Sequence, residues 1–290
     1  MHFIPQIVAI SCAVSYAGAN IAARYGMKHS NPATMTLVSF TTQTVVLGAI
    51  VGVSGSIPPL STFPAILFVG IGFVMPVIRM LSFMGIATLG ASRSMALRTS
   101  HPLFGALFAV LVLGEELKPA VLAATVLVIA GTFLISWQRE EGRGTERWWY
   151  ALFPLTAALI TGLIQPLVRY GFSFSDYPIF FTALVGATSL SVSLAVAPVI
   201  TKFQRLHWNF GSLKSLVLAA LLENLGFLLF MTAFNLAPVA SVSPLIATSP
   251  MWVVLATLVI FRDLERVATS TLFGTLMTVA GTVIITIAHS

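Results

Sequence analysis

The sequence predicts an all-α membrane protein in which ten transmembrane helices form two inverted repeats of five helices each. Three observations support this prediction. The 290 residues are 57% hydrophobic and only 8% charged, with a mean hydropathy of +0.97. The apolar residues fall into ten long runs, and the second half of the chain repeats short motifs of the first half in the same order.

The ten apolar runs have the length and the boundaries of membrane spans. A bilayer-spanning helix needs roughly 20 apolar residues, and helices are required because open strands would leave backbone polar groups unpaired in lipid. Turn-forming residues separate the runs, as at Asn31-Pro32, Pro58-Pro59 and Tyr177-Pro178. The predicted spans cover 3–24, 33–53, 63–86, 92–113, 119–137, 149–170, 178–199, 213–235, 239–261 and 267–288.

The motifs shared by the two halves predict an internal duplication. Arg24-Tyr25-Gly26 at the end of the first span recurs as Arg169-Tyr170-Gly171 at the end of the sixth. The later pairs are Phe83-Met84 with Phe230-Met231, Ser100-His101-Pro102 with Thr248-Ser249-Pro250, and Ala130-Gly131-Thr132 with Ala280-Gly281-Thr282. Because five spans is an odd number, the second copy enters the membrane from the opposite side. The predicted units are a first repeat over 1–137, a polar linker over 138–148 and a second repeat over 149–290.

The low charge content excludes several classes of protein. A soluble domain carries roughly 25% charged residues, and disordered or nucleic-acid-binding chains need a polar or basic density that this sequence lacks. The net charge of +6 is interpreted as a determinant of membrane topology. The single cysteine, Cys12, excludes a disulfide framework and a cysteine-based metal site, and we expect no cofactor.

Motifs in the fourth and ninth spans connect the chain to a known family. Pro102 precedes Gly114-Glu115, and Pro250 precedes Arg262-Asp263 at the same distance. Each pair leads into a closing span that carries Ala-Gly-Thr. With these motifs the sequence resembles the drug/metabolite transporter superfamily, specifically the ten-span EamA-type proteins.

The resemblance implies an inner-membrane carrier, often an exporter of amino acids, other metabolites or amphiphilic drugs. It also implies a central cavity lined by the third, fourth, eighth and ninth spans. The Arg262-Asp263 pair departs from the Gly-Glu of the family pattern, which puts an essential role for that acidic position in doubt.

Lysine and arginine concentrate on the face where odd-numbered spans end, here called the basic face. The loops there hold at least ten of these residues, whereas the other face holds Lys118 and Arg169. The positive-inside rule makes the basic face cytoplasmic and places both termini outside. The family resemblance implies cytoplasmic termini instead, so the two arguments leave the orientation open.

Four polar side chains are predicted to share one layer inside the membrane. Charges within a span cost roughly 2.5–3.5 kcal/mol each on insertion scales and therefore mark candidate functional sites. A rise of about 1.5 Å per residue places Arg79, Arg98, His101 and Glu223 at similar depths on three spans. The arginines would offer positive charge to a carboxylate or other anion of the substrate. Glu223 would balance them or take up a proton and couple transport to the proton gradient.

Simpler roles remain open for each member of this layer. Arg79 and Glu223 could only neutralise each other between packed helices, Arg98 could extend toward the headgroups, and His101 could be a satisfied core residue. Asn224 and Trp252 are further candidate substrate contacts, with interhelical hydrogen bonding and lipid exposure as their ordinary alternatives.

Two prolines are candidate hinges. Pro102 and Pro250 occupy equivalent repeat positions within predicted spans, where each removes a backbone donor and can bend the helix.

Together these features favour a secondary active transporter that exports a small metabolite by alternating access with proton coupling. The expected substrate is amino-acid-like, amphiphilic or anionic. The alternatives are a cationic drug efflux carrier and an integral-membrane enzyme acting on a lipid-linked substrate, although the sequence has no nucleophile–base motif and no metal-ligand spacing. We expect a non-enzymatic inner-membrane protein whose partners are a small molecule and the bilayer, with no nucleic acid, and which functions as a monomer.

Overall fold

The computed structural model describes residues 3–288 except 56, 59–61, 90–93, 95–96, 115–117, 137–147, 204–205 and 261–268, and in these ranges it is helical without any strand. A helix satisfies its backbone hydrogen bonds within one segment, as lipid requires. The helices are α1 (Ile4–Gly26), α2 (Pro32–Ser54), α3 (Thr62–Leu89), α4 (His101–Leu113), α5 (Pro119–Ser136), α6 (Leu152–Phe172), α7 (Pro178–Phe203), α8 (Phe210–Leu236), α9 (Val239–Ile246), α10 (Ser249–Ile260) and α11 (Thr269–Ala288).

Several of these helices are suited to cross a membrane. Within the described part of the chain, α1, α2, α3, α6, α7 and α8 are long and apolar enough, and shorter apolar helices cover Pro119–Leu134 and Val239–Val253. The chain is therefore a multi-pass membrane protein, while the count of ten spans stays a prediction. The linker over 138–148, apart from Trp148, and the motif residues Glu115, Arg262 and Asp263 lie outside the described residues.

The predicted ninth span is two helices rather than one continuous run. Residues 247–248 form a turn between α9 and α10, and residues 99–100 form a turn just before α4. Pro250 and Pro102 are the second residues of the helices that follow. A proline lacks the backbone N–H and clashes with the preceding turn, but it is tolerated where a helix starts. The prolines therefore begin new helices at equivalent points of the two halves.

The two turns are built from the same hydrogen bonds. The Ser100 hydroxyl donates to the Leu97 carbonyl at 2.8 Å, and the Thr248 hydroxyl donates to the Leu245 carbonyl at 2.7 Å. The backbone N–H three residues after each hydroxyl residue donates back to that residue's carbonyl, at 3.1 Å and 2.9 Å. The repeat seen in the sequence is thus repeated in the backbone geometry.

The first helix of each half packs against the third helix of the other half. A Cβ added at Gly26 would lie 2.6 Å from Leu216 Cδ2, so α1 ends close to the beginning of α8. A Cβ added at Gly171 would lie 2.9 Å from the Phe68 ring, so α6 ends close to the beginning of α3. Because Gly26 and Gly171 close the repeated Arg-Tyr-Gly motif, the two contacts are the same contact with the halves exchanged.

The closing helices α5 and α11 cross at the repeated Ala-Gly-Thr motif. A Cβ on Gly131 would lie 2.6 Å from the Gly274 carbonyl oxygen, and one on Gly281 would lie 2.8 Å from the Ala124 carbonyl oxygen. Both glycines face backbone atoms of the opposite helix, and such small residues allow helices to approach closely in membranes.

The two halves share a single apolar core. The largest buried cluster draws Phe40 and Phe68 from the first half and Phe181 and Phe234 from the second. Phe68 stacks on Phe181 with ring centroids 4.3 Å apart. The repeats are therefore interleaved, and much of the interior is formed where they meet.

We expect Gly131→Ala and Gly281→Ala each to lower the free energy of unfolding by about 1–3 kcal/mol, because the added methyl groups overpack the crossing. Thermal unfolding of the detergent-solubilised protein measures the loss. Gly70→Ala is the matched control, since a Cβ there meets nothing within 4 Å and alanine favours helix. Equal stability of all three variants would contradict a close crossing.

Candidate functional site

An ion pair joins the two halves in the interior of the bundle. Arg79 of α3 and Glu223 of α8 lie with Nε and Oε1 3.5 Å apart. The side chains are 4% and 16% exposed, respectively. A charge removed from water to this extent needs a partner of opposite sign and further hydrogen bonds.

Three neutral side chains complete the coordination of the Arg79 guanidinium. Nη1 donates to Ser39 Oγ at 2.6 Å, while Nη2 donates to Gln43 Oε1 at 2.9 Å and to Asn224 Oδ1 at 3.2 Å. The Ser39 hydroxyl in turn donates to Glu223 Oε2 at 2.7 Å. Ser39 therefore bridges the cation and the carboxylate.

The neutral partners are themselves held in place. Gln43 Nε2 donates to the Thr182 carbonyl and Asn224 Nδ2 to the Ser39 carbonyl, each at 2.9 Å. The guanidinium carbon also lies 4.2 Å from the centroid of the Phe40 ring, a distance at which a cation is attracted to an aromatic face. Arg79 is thus held by side chains of α2 and α8.

A first cavity opens beside this ion pair. Its polar lining includes Tyr16, Asn20, Arg79, Arg98, Thr161 and Glu223, and its apolar lining includes Met35, Met75, Phe83, Phe227 and Phe230. Both halves of the chain contribute to the lining. A mostly apolar concavity with a few convergent polar groups is the usual form of a small-molecule site.

Arg98 lies between this cavity and a second one, and it lines both. The residue directly precedes the turn before α4 and is half-buried. Across the described residues, its guanidinium has no hydrogen bond and no ion pair. Arg98 therefore presents its charge to the cavities, in contrast to Arg79.

His101 lines the second cavity and is fixed by a small polar cluster. Gln165 Nε2 donates to His101 Nδ1 at 2.9 Å, and the Ser243 hydroxyl donates to Gln165 Oε1 at 2.7 Å. The partners come from α6 and α9, so the histidine connects three helices.

The remaining predicted site residues have different surroundings. Asn224 is 5% exposed and belongs to the Arg79 cluster. The Trp252 indole donates to Thr248 Oγ1 at 3.2 Å, and Trp252 lines neither of the two cavities. Pro250 lines the second cavity, whereas Pro102 lines neither.

Sequence reasoning missed Ser39, Tyr16 and Thr161. Serine is common in membrane helices and gave no signal of its own. Tyr16 and Thr161 each stand eight residues before a repeated Arg-Tyr-Gly motif, and both line both cavities. Comparison of the two repeats at these positions could have found them.

On the face opposite the basic face, Arg169, Asp176 and Asn235 form a set of contacts here called the latch. Arg169 Nη1 donates to the carbonyls of Asn235 at 2.6 Å and Phe234 at 3.2 Å, at the C-terminal end of α8. Asn235 Nδ2 donates to Asp176 Oδ1. A cation on helix-terminal carbonyls is favourable because these groups lack intrahelical partners.

The first cavity extends the other way, toward the basic face. Its lining includes Ala23 near the end of α1, Met35 in the first turn of α2 and Phe83 in the later part of α3. In the described part of the chain, the latch therefore lies on one face and the first cavity extends toward the other.

Comparisons with known proteins identify a family and a fold. The model of the EamA-like transporter family matches residues 4–137 and 148–287. The comparison with curated proteins gives no match. Among 29 matching chains of solved structures, one described as "Crystal structure of protein" has 16% identity and a TM-score of 0.77, with 99% of this chain and 98% of that chain covered. At this identity the likeness shows the fold alone.

We expect Arg79→Met to lower the free energy of unfolding by about 3–5 kcal/mol, because it leaves the Glu223 carboxylate buried without its partner. The double variant Arg79→Met/Glu223→Gln should recover a large part of that loss. Thermal unfolding in detergent measures both, with Arg24→Met, at an exposed position, as the control. A double variant as unstable as the sum of the two single variants would argue against the pairing.

Proposed function

The chain belongs to the EamA-like transporter family of the drug/metabolite transporter superfamily, and from this premise we propose that it is a secondary active carrier that exports a small metabolite across the inner membrane. The observation that carries the proposal is the first cavity, which lies where the two halves meet and is lined by the Arg79–Glu223 pair. Sites of secondary transporters typically lie at the interface of two repeats near the membrane midplane.

The proposed architecture is ten spans in two inverted repeats. The exchanged contacts of Gly26 with Leu216 and of Gly171 with Phe68 support a two-fold relation between the halves. An odd number of spans per half then reverses the second copy in the membrane. Inverted repeats give a carrier two related conformations, each open to one side.

The proposed transport cycle alternates between two faces. In the conformation described, the latch holds α6 to the end of α8 on one face, while the first cavity extends toward the basic face. Release of the latch and closure of the basic face would expose the same cavity to the other side. The paired turns before Pro102 and Pro250 are the proposed hinges.

Glu223 is the proposed coupling residue. Its carboxylate lines the first cavity and is held by Arg79 and Ser39. Protonation would remove the negative charge that Arg79 is paired with and so loosen a contact between the two halves. A proton taken up on one side and released on the other would then drive the exchange of conformations.

We expect Glu223→Gln to abolish proton-driven transport, since glutamine keeps the size and a hydrogen-bonding oxygen but loses the charge. Because this variant leaves the buried Arg79 without its carboxylate partner, thermal unfolding checks that it is folded before transport is measured. A substrate is first found by thermal-shift screening of amino acids, nucleotides, phosphorylated sugars and cationic drugs, because a specific binder stabilises the fold. Transport is then measured in proteoliposomes with an imposed pH gradient. Glu140→Gln, in the hydrophilic linker of the sequence, is the control, and unchanged gradient-driven transport by Glu223→Gln would refute the coupling role.

Arg169→Gln should shift the protein away from the conformation open to the basic face, because it weakens the latch. The reporter is Asn20→Cys, at a half-buried position that lines the first cavity, in a Cys12→Ala background, labelled from the basic face with a membrane-impermeant maleimide. We expect several-fold slower labelling in the Arg169→Gln variant. A Lys28→Cys reporter, near the same face but outside both cavities, should label equally in both backgrounds. Unchanged Asn20→Cys labelling would exclude the latch as a gate.

A further inference from the structure

We propose that Arg98 and Tyr16 form a subsite for the anionic group of the transported molecule, and that this molecule is an organic monoanion with an apolar body. The proposal rests on the transport function proposed above and assigns a substrate class to the same cavities. It follows from the different surroundings of the two arginines that line the first cavity.

Arg79 has little capacity left for a ligand. Its guanidinium contacts Glu223, Ser39, Gln43 and Asn224, and its side chain is 4% exposed. Any anion bound there would have to displace a carboxylate already in place. Arg79 is therefore a structural residue of the first-cavity lining rather than a binding group for the substrate.

Arg98 has the opposite character. Its half-buried side chain lines both cavities, and nothing in the described ranges of the chain forms a hydrogen bond or an ion pair with its guanidinium. An unpaired guanidinium inside a membrane protein is costly. It also offers a planar fork of donors that matches a carboxylate.

The charges around the first cavity leave one positive charge uncompensated. The described lining contains Arg79, Arg98 and Glu223 as charged side chains, so two cations face one carboxylate. A bound monoanion would restore neutrality at this depth, whereas a cationic substrate would add to the excess.

Tyr16 supplies a second donor at the same place. Its side chain lines both cavities, as Arg98 does, and its hydroxyl has no hydrogen-bond partner within the described part of the chain. The ring packs on α8, since a Cβ at Gly226 would lie 2.9 Å from Tyr16 Cδ1. A phenol fixed in this way can donate to an oxygen bound by Arg98.

Apart from Asn20, Ser82 and Thr161, whose side chains donate to carbonyls of their own helices, the rest of the first cavity fits an apolar body. Met35, Met75 and Phe83 line it together with Phe227 and Phe230. These side chains can bury a hydrocarbon chain or an aromatic ring, but they offer no strong hydrogen bonds to a polar substrate group. The combination of one anionic subsite and an apolar wall defines the substrate class.

The test compares three probes that share one apolar body and differ in charge: 3-phenylpropanoate, 3-phenylpropanamide and 3-phenylpropylamine. Binding to the purified full-length protein in detergent is measured by equilibrium dialysis. We expect 3-phenylpropanoate to bind at least about tenfold more tightly than the amide, and the amine to bind most weakly.

The variants assign the preference to the two residues. Arg98→Gln should reduce the affinity for 3-phenylpropanoate to that for the amide, and Tyr16→Phe should weaken 3-phenylpropanoate by about tenfold. Arg24→Gln removes a positive charge outside both cavities and should change neither affinity. Thermal unfolding checks that each variant folds, and if Arg98→Gln does not fold, the Tyr16→Phe and Arg98→Lys variants provide the test.

Equal affinity for acid and amide, a preference for the amine, no binding of any probe at millimolar concentration, or unchanged affinity in Arg98→Gln would each overturn the proposal. Dialysis in detergent requires no transport. If the protein binds the anion selectively but shows no flux in proteoliposomes, the subsite is supported and the carrier function is refuted. If it shows proton-driven flux of another substrate class but no anion binding, the carrier function is supported and the subsite is refuted.

Discussion

Burial of a guanidinium in the interior of a membrane protein is costly unless it is paired, and the bundle supplies Arg79 with an ion pair and three hydrogen bonds. The partners come from α2 and α8, and Glu223 and Asn224 belong to the second half of the chain. A missing partner would leave a charge or a polar group unsatisfied in a medium of low dielectric constant. The Arg79 cluster thus fixes three helices relative to one another and ties one half to the other beside the first cavity.

The scaffold is symmetric, while the chemistry is not. Gly26 and Gly171 make exchanged contacts, and the turns at Ser100 and Thr248 have the same hydrogen bonds. In the sequence repeat, however, Arg79 corresponds to Gly226 and Glu223 to Pro76. Gly226 provides room for the Tyr16 ring, so the position that carries a charge in one half accommodates an aromatic side chain in the other. Duplication explains the backbone, and divergence within it explains the site.

Interruption of the helices also contributes to the site. The turn at residues 99–100 separates Arg98 from the regular helix α4, and the turn at residues 247–248 places Ala247 and Pro250 on the wall of the second cavity. The hydroxyls of Ser100 and Thr248 satisfy carbonyls near these breaks. Irregular backbone at membrane depth is tolerated where it lies inside the protein or lines a cavity, and both breaks meet this condition.

The sequence alone determined the helical class, the membrane location and the family, because composition and the span-length apolar runs leave few alternatives. It also selected Arg79, Arg98, His101 and Glu223 as unusual, since charged and titratable groups are rare inside spans. Only the tertiary structure decided that Arg79 is paired while Arg98 is not, because the partners Ser39, Gln43 and Asn224 lie far away in the chain and nothing in the sequence assigns them to Arg79. Only the tertiary structure likewise decided that Tyr16 lines both cavities and that Trp252 lines neither. Whether an aromatic side chain reaches a cavity depends on how the helices rotate and pack, and this cannot be predicted from a local sequence pattern.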